Sequence, residues 1–433
     1  MKPDGTDSPR SPGARPSDGK YLLVMGSVPY EAAREALYKN AFIRVAGEPW
    51  PTALLDREGT VGRAQLRPVV ADGQLLFGKS ELDQLSKAMW RQCEELSDLD
   101  ADVLDALSAL WLTQASSPTS DAMADVEELL DMRGLAKKRN GDGREGGYRL
   151  KQRETVLNAL WHIQNLWLNV ACVDPETGHV QTGGKGLTIQ SRAFVITDRM
   201  GQVRFDGSVE VRKFVFRPGK VFAYFLFGPG RQTALLAAKA LQYDPYHEQW
   251  EKRLARFISW QWRVRPSDDG LGIYNVRALL DAVGEEFTLR YPSRTRNRLE
   301  KALETLQEDG VVAVWQYVDW DENTASRYRW SKQWLQASIG ITPPDFIVEW
   351  QSTGAAPPMI DLAEVVDETA RPQAATFTEL RHVRKGRGLT QAALAEHLGI
   401  SQGYLSRIEQ GKVEMSALGD DLLERIELWM RQP

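Results

Sequence analysis

The stretch LTQAALAEHLGISQGYLSRIEQG, residues 389–411, predicts two short helices joined by a tight turn. Thr390 and Ser401 each stand where a helix would begin, and both residue types cap helix N-termini. Gly399 lies between the two helices and allows the left-handed backbone that a tight turn needs. Apolar residues recur at helical spacing on the expected inner face, namely Leu394, Ala395, Leu398, Ile400, Leu405 and Ile408. The stretch therefore predicts a helix-turn-helix, whose second helix enters the major groove of DNA.

The outer face of the second helix is polar. A glutamine amide can form two hydrogen bonds to adenine, and an arginine can do the same with guanine or hold a phosphate. The residues predicted to contact DNA from this helix and its cap are Ser401, Gln402, Gly403, Tyr404, Ser406 and Arg407.

The run LRHVRKGRGLTQAALAEHLGISQGYLSRIEQGK, from Leu380 to Lys412, resembles the Cro/repressor (XRE) helix-turn-helix family. The LTQ start, the LA and GIS steps, Y-L-S-x-I-E and the closing G-K carry the resemblance. It implies that Gln391 anchors a phosphate and that Arg384 and Glu409 form a structural pair. Lys412 in the closing G-K is a further DNA-binding candidate. The following VEMSALGDDLLERIELWM lacks the proline usual in the family, so no dimerising end is predicted from it.

A helical hairpin that contacts only protein is the alternative interpretation of this stretch. From Thr376 onward the chain has eight Lys/Arg against eight Asp/Glu. A charge-balanced module binds DNA weakly on its own, because neutralised phosphates supply most of the affinity. Other parts of the chain are therefore expected to supply further DNA contacts.

Length and composition favour a multidomain globular protein, and the cysteine content fits the cytoplasm. The predicted DNA binding adds the expectation that the protein is associated with the nucleoid. With 433 residues the chain is long enough for about three domains. No run of 18 apolar residues occurs, so no membrane partner is expected. Cys93 and Cys172 lack CxxC or CxxH neighbours, which argues against a zinc site or a disulfide framework. Because the formal net charge is −5, nucleic-acid contacts must come from local basic patches.

The predicted fold class is α+β multidomain, with tandem winged helix-turn-helix units followed by an all-α, Cro-like domain. The order helix, helix, helix, strand, turn, strand is clear from residue 249 to residue 334 and less clear from 99 to about 200. The predicted domains are a disordered tail (1–19), a small α/β region without an assigned role (20–95), a first winged-helix-like domain with extra strands (96–230), a second winged-helix domain (231–350), a linker (351–375) and the helix-turn-helix domain (376–433).

Four segments carry more detailed expectations within these units. DAMADVEELLDM (121–132) and RQTALLAAKALQYDP (231–245) are predicted helices. VVAVWQYV (311–318) and SRYRWSKQW (326–334) are predicted wing strands joined by the acidic turn DWDENTA. A metal site in that turn is not expected, because adjacent carboxylates in a turn are usually solvated.

The helix SRTRNRLEKALETLQEDG (293–310) is basic at its front and acidic at its back, which suits a helix that enters a groove. Its leucines form the inner stripe, and its basic residues lie on a different face. The alternative is an ordinary solvated face. The candidate DNA contacts are Arg294, Arg296, Asn297, Arg298 and Lys301, with Arg327 and Arg329 on the following strand.

A second basic cluster lies in the glycine-rich loop before the helix LKQRETVLNALWHIQNLWL. From Arg133 to Gln164 there are eight Lys/Arg against three Asp/Glu. Such a loop can mould to a phosphate backbone, although the same charge run is typical of a solvated loop. The candidate contacts are Lys137, Lys138, Arg139, Arg144, Arg149, Lys151 and Arg153.

Tandem winged helices with basic third helices resemble plasmid replication initiators of the Rep type. DVLDALSALWL, LKQRETVLNALWHIQNLWL and RTRNRLEKALETLQEDGVVAVW carry this architectural resemblance, within residues 97–340. It implies that the two units bind successive turns of repeated origin sites in double-stranded DNA, that one unit mediates dimerisation, and that host replication proteins are partners. The fused Cro-like module departs from that pattern, so a transcriptional regulator with an extended footprint stays open.

No catalytic motif is evident, so the chain is not expected to be an enzyme. Neither FGPGRQT nor QTGGKGLT keeps the spacing of a Walker loop, and HEQWE lacks the second histidine of HExxH. GxSxG and kinase signatures are absent as well. Neither a cofactor nor a metal is therefore expected. A nuclease or other DNA enzyme tethered by a helix-turn-helix is the third hypothesis, after initiator and regulator.

Overall fold

The computed structural model describes residues 20–55, 61–69, 78–115, 117–138, 146–173, 187–203, 209–227, 232–265, 271–288, 290–320, 330–352, 384, 387, 389–409, 422, 425, 426 and 429. The chain divides into two compact units, Met1–Leu362 and Ala363–Pro433. The predicted tail and nearly all of the predicted linker lie outside the described residues.

Twelve strands and fourteen helices are formed by the described residues. The strands are β1 (Tyr21–Met25), β2 (Thr52–Leu54), β3 (Val61–Leu66), β4 (Ala122–Asp125), β5 (Leu166–Val173), β6 (Leu187–Arg192), β7 (Phe194–Val203), β8 (Val209–Pro218), β9 (Thr233–Ala237), β10 (Gly272–Asn275), β11 (Val314–Tyr317) and β12 (Ser338–Thr342). The helices are α1 (Val28–Tyr38), α2 (Lys79–Glu94), α3 (Asp98–Gln114), α4 (Val126–Met132), α5 (Leu150–Asn165), α6 (Lys220–Phe227), α7 (Lys239–Gln242), α8 (Gln249–Val264), α9 (Val276–Val283), α10 (Pro292–Glu308), α11 (Trp330–Trp334), α12 (Asp345–Ser352), α13 (Gln391–His397) and α14 (Gln402–Glu409).

The first unit contains the same supersecondary plan twice. The second copy runs α8, β10, α9, α10, β11, β12, and its antiparallel sheet has the order β10-β12-β11. The first copy runs α3, β4, α4, α5, β7, β8, and its sheet has the corresponding order β4-β8-β7. Both plans are winged helix-turn-helix units, as the sequence predicts.

The two copies also begin their second helix in the same way. The Asp125 carboxylate accepts a hydrogen bond from the Glu127 backbone N–H at 2.8 Å, and the Asn275 side chain accepts one from the Arg277 backbone N–H at 2.9 Å. A capping side chain satisfies a backbone donor that would otherwise have no partner inside the helix. The cap fixes the step from strand to helix in both units.

A separate sheet is inserted into the first copy. Strands β5 and β6 follow α5 and join β2 and β3 in a four-stranded antiparallel sheet of order β2-β3-β5-β6. Strand β1 pairs with β9, so residues 20–95 contribute strands to two sheets completed by later parts of the chain.

Three predictions of local structure are wrong. In the segment predicted as a helix over 121–132, residues 122–125 form β4, because Ala122 and Ala124 are buried while Met123 is exposed, which is the alternation of a strand. The segment 231–245 begins as β9, since its apolar run pairs with β1. Trp330–Trp334 is a helix, and β12 takes the place of the second wing strand because Ile339 and Ile341 bury their side chains between β10 and β11.

The two winged-helix units are joined by a buried network of charges that sequence reasoning did not find. Asp98, Asp102 and Asp105 recur along α3 and are at most 1% exposed. Arg256 on α8 donates to Asp102 at 2.5 Å and to Asp105 at 2.8 Å. Further cations of the network are Arg253, which donates to Asp98 at 2.8 and 3.1 Å, Lys252, 3.1 Å from Asp102, Arg133, which donates to Asp102 at 3.4 Å, and Arg34 of α1, 2.9 Å from Asp105. Because Arg256 bridges Asp102 and Asp105, and each of these carboxylates has a second cationic partner, the network holds α3 and α8 in a fixed relation.

Candidate nucleic-acid interface

The C-terminal unit has the predicted helix-turn-helix. The Thr390 hydroxyl accepts from the Ala393 backbone N–H at 3.1 Å and starts α13, and the Ser401 hydroxyl accepts from Tyr404 N–H at 3.2 Å and starts α14. Gly399 between them has φ +66°, the left-handed conformation that the turn requires. The shared core consists of Leu394, Ala395, Leu398, Leu405, Ile408, Leu422, Ile426 and Trp429, with Ile400 and Tyr404 packed against it.

The predicted contact residues of α14 lie on its outer side. Ser401, Gln402, Gly403 and Arg407 are exposed, whereas Tyr404 and Ser406 are half-buried. Gln391 at the start of α13 is half-buried as well. Lys412 and the Glu409 side chain lie outside what the structure describes, so the predicted pair of Arg384 and Glu409 stays a prediction. Arg384 is 6% exposed and donates to the Leu389 carbonyl at 2.7 Å.

The third helix of the second winged unit, α10, turns only part of its predicted basic surface outward. Leu299, Ala302, Leu303 and Leu306 are completely buried and form the inner stripe. Arg294, Asn297 and Lys301 are exposed and follow one another along the outer ridge. This ridge is the part of the candidate site that the structure brings together.

Arg298, predicted as a DNA contact, is held by the protein. Its guanidinium donates to both carboxylate oxygens of Glu251 on α8, at 2.7 and 2.8 Å, and to the His247 carbonyl at 3.0 Å. The same guanidinium lies 5.5 Å from the centroid of the Trp250 ring. Glu251 is 2% exposed, so this arrangement replaces the water that its carboxylate loses. The geometry makes Arg298 a positioning residue for α10.

Arg296 is also directed toward the protein. Its Nε lies 3.6 Å from the Glu300 carboxylate, and its guanidinium lies 5.5 Å from the Trp330 ring centroid. Glu300 in turn accepts from the Tyr317 hydroxyl at 3.0 Å, and Tyr317 accepts from Trp334 Nε1 at 2.8 Å. These contacts tie α10 to β11 and α11. The predicted contacts Arg327 and Arg329 lie outside the described residues.

Asp319, at the start of the acidic turn, has a local structural role. Its carboxylate accepts from the Ser338 backbone N–H at 2.6 Å and from the Ser338 hydroxyl at 3.0 Å. Asp319 therefore fastens the end of β11 to β12. Within the described residues, no three His, Cys, Asp or Glu side chains are grouped as metal ligands would be.

In the first winged unit, some basic residues before α5 and in its first turn are exposed, and others are paired with carboxylates of the protein. Lys138, Arg149 and Lys151 are exposed. Lys137 lies 3.3 Å from the Asp131 carboxylate, and Arg153 donates to Glu127 and lies 3.7 Å from Glu210. Arg139 and Arg144 lie outside the described residues.

Burial and ion pairing shift the pKa values of two residues in the network that joins the two winged units. Burial lowers the pKa of Lys252 to about 8, against the opposing effect of Asp102. Burial would raise the pKa of Asp105, but Arg34 and Arg256 outweigh it and hold that pKa below its usual value. Asp105 therefore acts as a fixed anion between Arg34 of α1 and Arg256 of α8. The spacing of Asp98, Asp102 and Asp105 along a largely apolar helix was the available sequence signal.

Residues 378–418 match a family described as a helix-turn-helix domain, which confirms the C-terminal resemblance. No curated protein matches the chain. Two solved structures are similar to it. A crystal structure of RctB domains 2-3 has a TM-score of 0.38 and 9% identity, and a selenomethionine derivative of domains 2 and 3 of RctB has a TM-score of 0.37 and 11% identity. Each comparison covers 72% of this chain and 98% of the other. No helix in the described parts of the chain is long and apolar enough to span a membrane.

Proposed function

We propose that this protein binds double-stranded DNA sequence-specifically and uses helices of both compact units for it. The observation that carries the proposal is the pairing of a helix-turn-helix, whose polar α14 face is exposed, with a winged unit whose α10 ridge presents Arg294, Asn297 and Lys301. A recognition helix needs base-reading groups near its front and cations for the phosphates. Both α14 and α10 have exposed base-reading and cationic side chains.

Contacts from separate units would add to the low DNA affinity expected of a charge-balanced helix-turn-helix module. The net charge of −5 gives the whole chain no general attraction to DNA. Local cations on α10, on α14 and before α5 would each neutralise a few phosphates, and their contributions to affinity combine.

We further propose that the protein initiates replication of a plasmid or a similar element by binding repeated origin sites. The duplicated winged plan, fixed by the buried charges of α3 and α8, supports a protein that covers successive turns of one duplex. A dimer, host replication proteins and a bacterial cytoplasmic, nucleoid-associated location belong to this proposal. The Cro-like C-terminal unit favours the second candidate, a transcriptional regulator with an extended operator.

Catalysis is not part of the proposed mechanism. Lys252 and Asp105, two buried residues with shifted pKa values, are engaged in ion pairs between helices. Binding and positioning account for the groups that the structure places together.

Footprinting of the full chain on the DNA upstream of its own gene tests both levels of the proposal. We expect protection of double-stranded DNA that weakens as salt rises, because released counterions contribute to binding. Repeated sites, with loss of the element after deletion of the gene, support the initiator. One or two inverted sites over a promoter, with stable inheritance, support the regulator. Failure to hold any duplex at low salt overturns DNA binding itself.

A further inference from the structure

Helices α5 and α10 occupy equivalent places in the two winged units and bury the same pattern of residues. Val156, Ala159, Leu160 and Ile163 of α5 are at most 4% exposed and repeat the spacing of Leu299, Ala302, Leu303 and Leu306 of α10. Both helices precede the paired wing strands of their unit, apart from the sheet inserted after α5. The outer faces of α5 and α10 therefore correspond position by position.

The equivalent arginines of the two helices are both used inside the protein. Arg153 stands three residues before Val156, and Arg296 stands three residues before Leu299. Arg153 is paired with Glu127 and Glu210, and Arg296 lies against Glu300 and the Trp330 ring. The partners differ, but both arginines are engaged by the protein and so do not belong to the outer ridge.

The outer ridges that remain differ in chemistry. On α10 the exposed side chains at successive turns are Arg294, Asn297 and Lys301. The equivalent exposed side chains of α5 are Lys151, Glu154 and Asn158. A cation stands first on both helices. The second position is an amide on α10 and a carboxylate on α5.

The side chains at the second position, Asn297 on α10 and Glu154 on α5, suit hydrogen bonds to different base pairs. An asparagine amide donates and accepts at once and so fits the major-groove edge of adenine. A glutamate only accepts, and its partner in the groove is the amino group of cytosine. DNA phosphates repel a carboxylate. Glu154 would therefore lie against DNA favourably where its carboxylate accepts a hydrogen bond from a cytosine amino group.

We propose that the two winged units read two unlike subsites, an A·T pair facing Asn297 and a C·G pair facing Glu154. The inference rests on the proposed DNA-binding function and specifies its target. Because Asp98, Asp102 and Asp105 lock α3 to α8, the two subsites have a fixed order and a fixed spacing. The DNA segment bound by this unit is asymmetric, not a repeat of one half-site.

The test exchanges the second positions in the full chain. Binding sites are selected from random duplex DNA with the wild type, with Asn297→Glu, with Glu154→Asn and with Glu304→Gln as control. All three side chains are exposed, so the variants should fold. We expect Asn297→Glu to change one A·T position to C·G and Glu154→Asn to make the reverse change at another position, each by roughly 5- to 150-fold in relative affinity. Glu304→Gln should select the wild-type site.

A second measurement uses the selected site with one base pair inserted between the two assigned positions. We expect affinity to fall at least tenfold, since a fixed frame cannot follow the added rise and twist. Wild-type selection of two identical subsites, or unchanged preferences in both exchange variants while DNA binding is retained, overturns the inference. Absence of duplex binding by the wild type overturns the proposed function instead.

Discussion

The guanidinium of Arg298 and the carboxylate of Glu251 form a two-point ion pair, with N–O distances of 2.7 and 2.8 Å. Arg298 belongs to α10, and Glu251 lies near the start of α8, the first helix of the same winged unit. The pair holds the N-terminal half of α10 against α8. In the proposed DNA complex, the pair would therefore act indirectly, through the position of Arg294 and Asn297.

Replacing Arg298 with alanine should lower the free energy of unfolding by about 2–4 kcal/mol, because Glu251 would be left buried without its partner. Urea unfolding at neutral pH measures this loss. Glu251→Gln combined with Arg298→Ala should recover part of the stability. An Arg298→Ala protein as stable as the wild type would show that the pair does not hold α10.

Lys301→Ala tests the exposed ridge of α10. We expect stability to change by less than about 0.5 kcal/mol, since the side chain is exposed. The dependence of log affinity on log salt should become shallower by about one, the effect of one lost phosphate contact. Titration of a labelled duplex at several salt concentrations measures the slope. Glu304→Gln, at the back of the same helix, is the control and should leave the slope unchanged.

The local pattern of residues predicts much of this fold. Caps and apolar spacing place α13 and α14 correctly, because both signals act within a few residues of Thr390 and Ser401. The winged order was predicted for the same reason. Two of the wrong assignments involve residues that pair with a distant strand: β4, within 121–132, pairs with β8, and β9, within 231–245, pairs with β1. The third concerns a short helix, Trp330–Trp334.

The sequence could not predict which basic side chains of the candidate site pair with the protein and which remain exposed. Arg294 and Arg298 have the same charge and neighbouring places in one helix. Arg298 is a positioning residue because Glu251 and Trp250 of α8 contact it, whereas Arg294 is exposed. The buried pairing of Asp102 with Arg256 likewise joins residues far apart in the chain. Such pairings are properties of the packed structure.

Gly399→Ala and Gly403→Ala should have opposite effects on the C-terminal unit. At Gly399, φ is +66° and an added Cβ would lie 2.9 Å from Arg425 Nη1, so we expect a loss of about 1–2 kcal/mol. At Gly403, inside α14, an added Cβ meets nothing within 4 Å, so alanine should stabilise the helix by about 0.5–1 kcal/mol. Thermal unfolding followed by circular dichroism compares the two variants. A stabilised Gly399→Ala protein would contradict the turn.

Gln402→Ala should weaken base preference without altering the salt slope. Gln402 is exposed at the first position of α14, where a recognition helix reads base edges. Loss of two hydrogen bonds to adenine costs about 1–3 kcal/mol of discrimination at one base pair. Competition between duplexes that differ at single positions measures it. An equal loss of affinity for every duplex, with a shallower salt slope, would instead make Gln402 a phosphate contact.

Lys252 should make stability depend on pH in the alkaline range. Its ammonium donates to the Ala240, Leu241 and Tyr243 carbonyls and lies 3.1 Å from Asp102, while burial lowers its pKa to about 8. In the unfolded chain a lysine has a pKa of about 10.4. Between roughly pH 8 and 10 the unfolded chain therefore binds more protons than the folded protein, and the free energy of unfolding rises with pH in that window.

Below about pH 8 both states are protonated, and the contribution of Lys252 stays constant. Chemical unfolding at half-unit steps from pH 7 to 10, compared with Lys252→Met, isolates this contribution because the other titrating groups are shared. The difference in free energy between wild type and variant should grow in favour of the wild type above pH 8. Two curves that remain parallel over the whole range would mean that Lys252 keeps an ordinary pKa, with the ion pair to Asp102 outweighing burial.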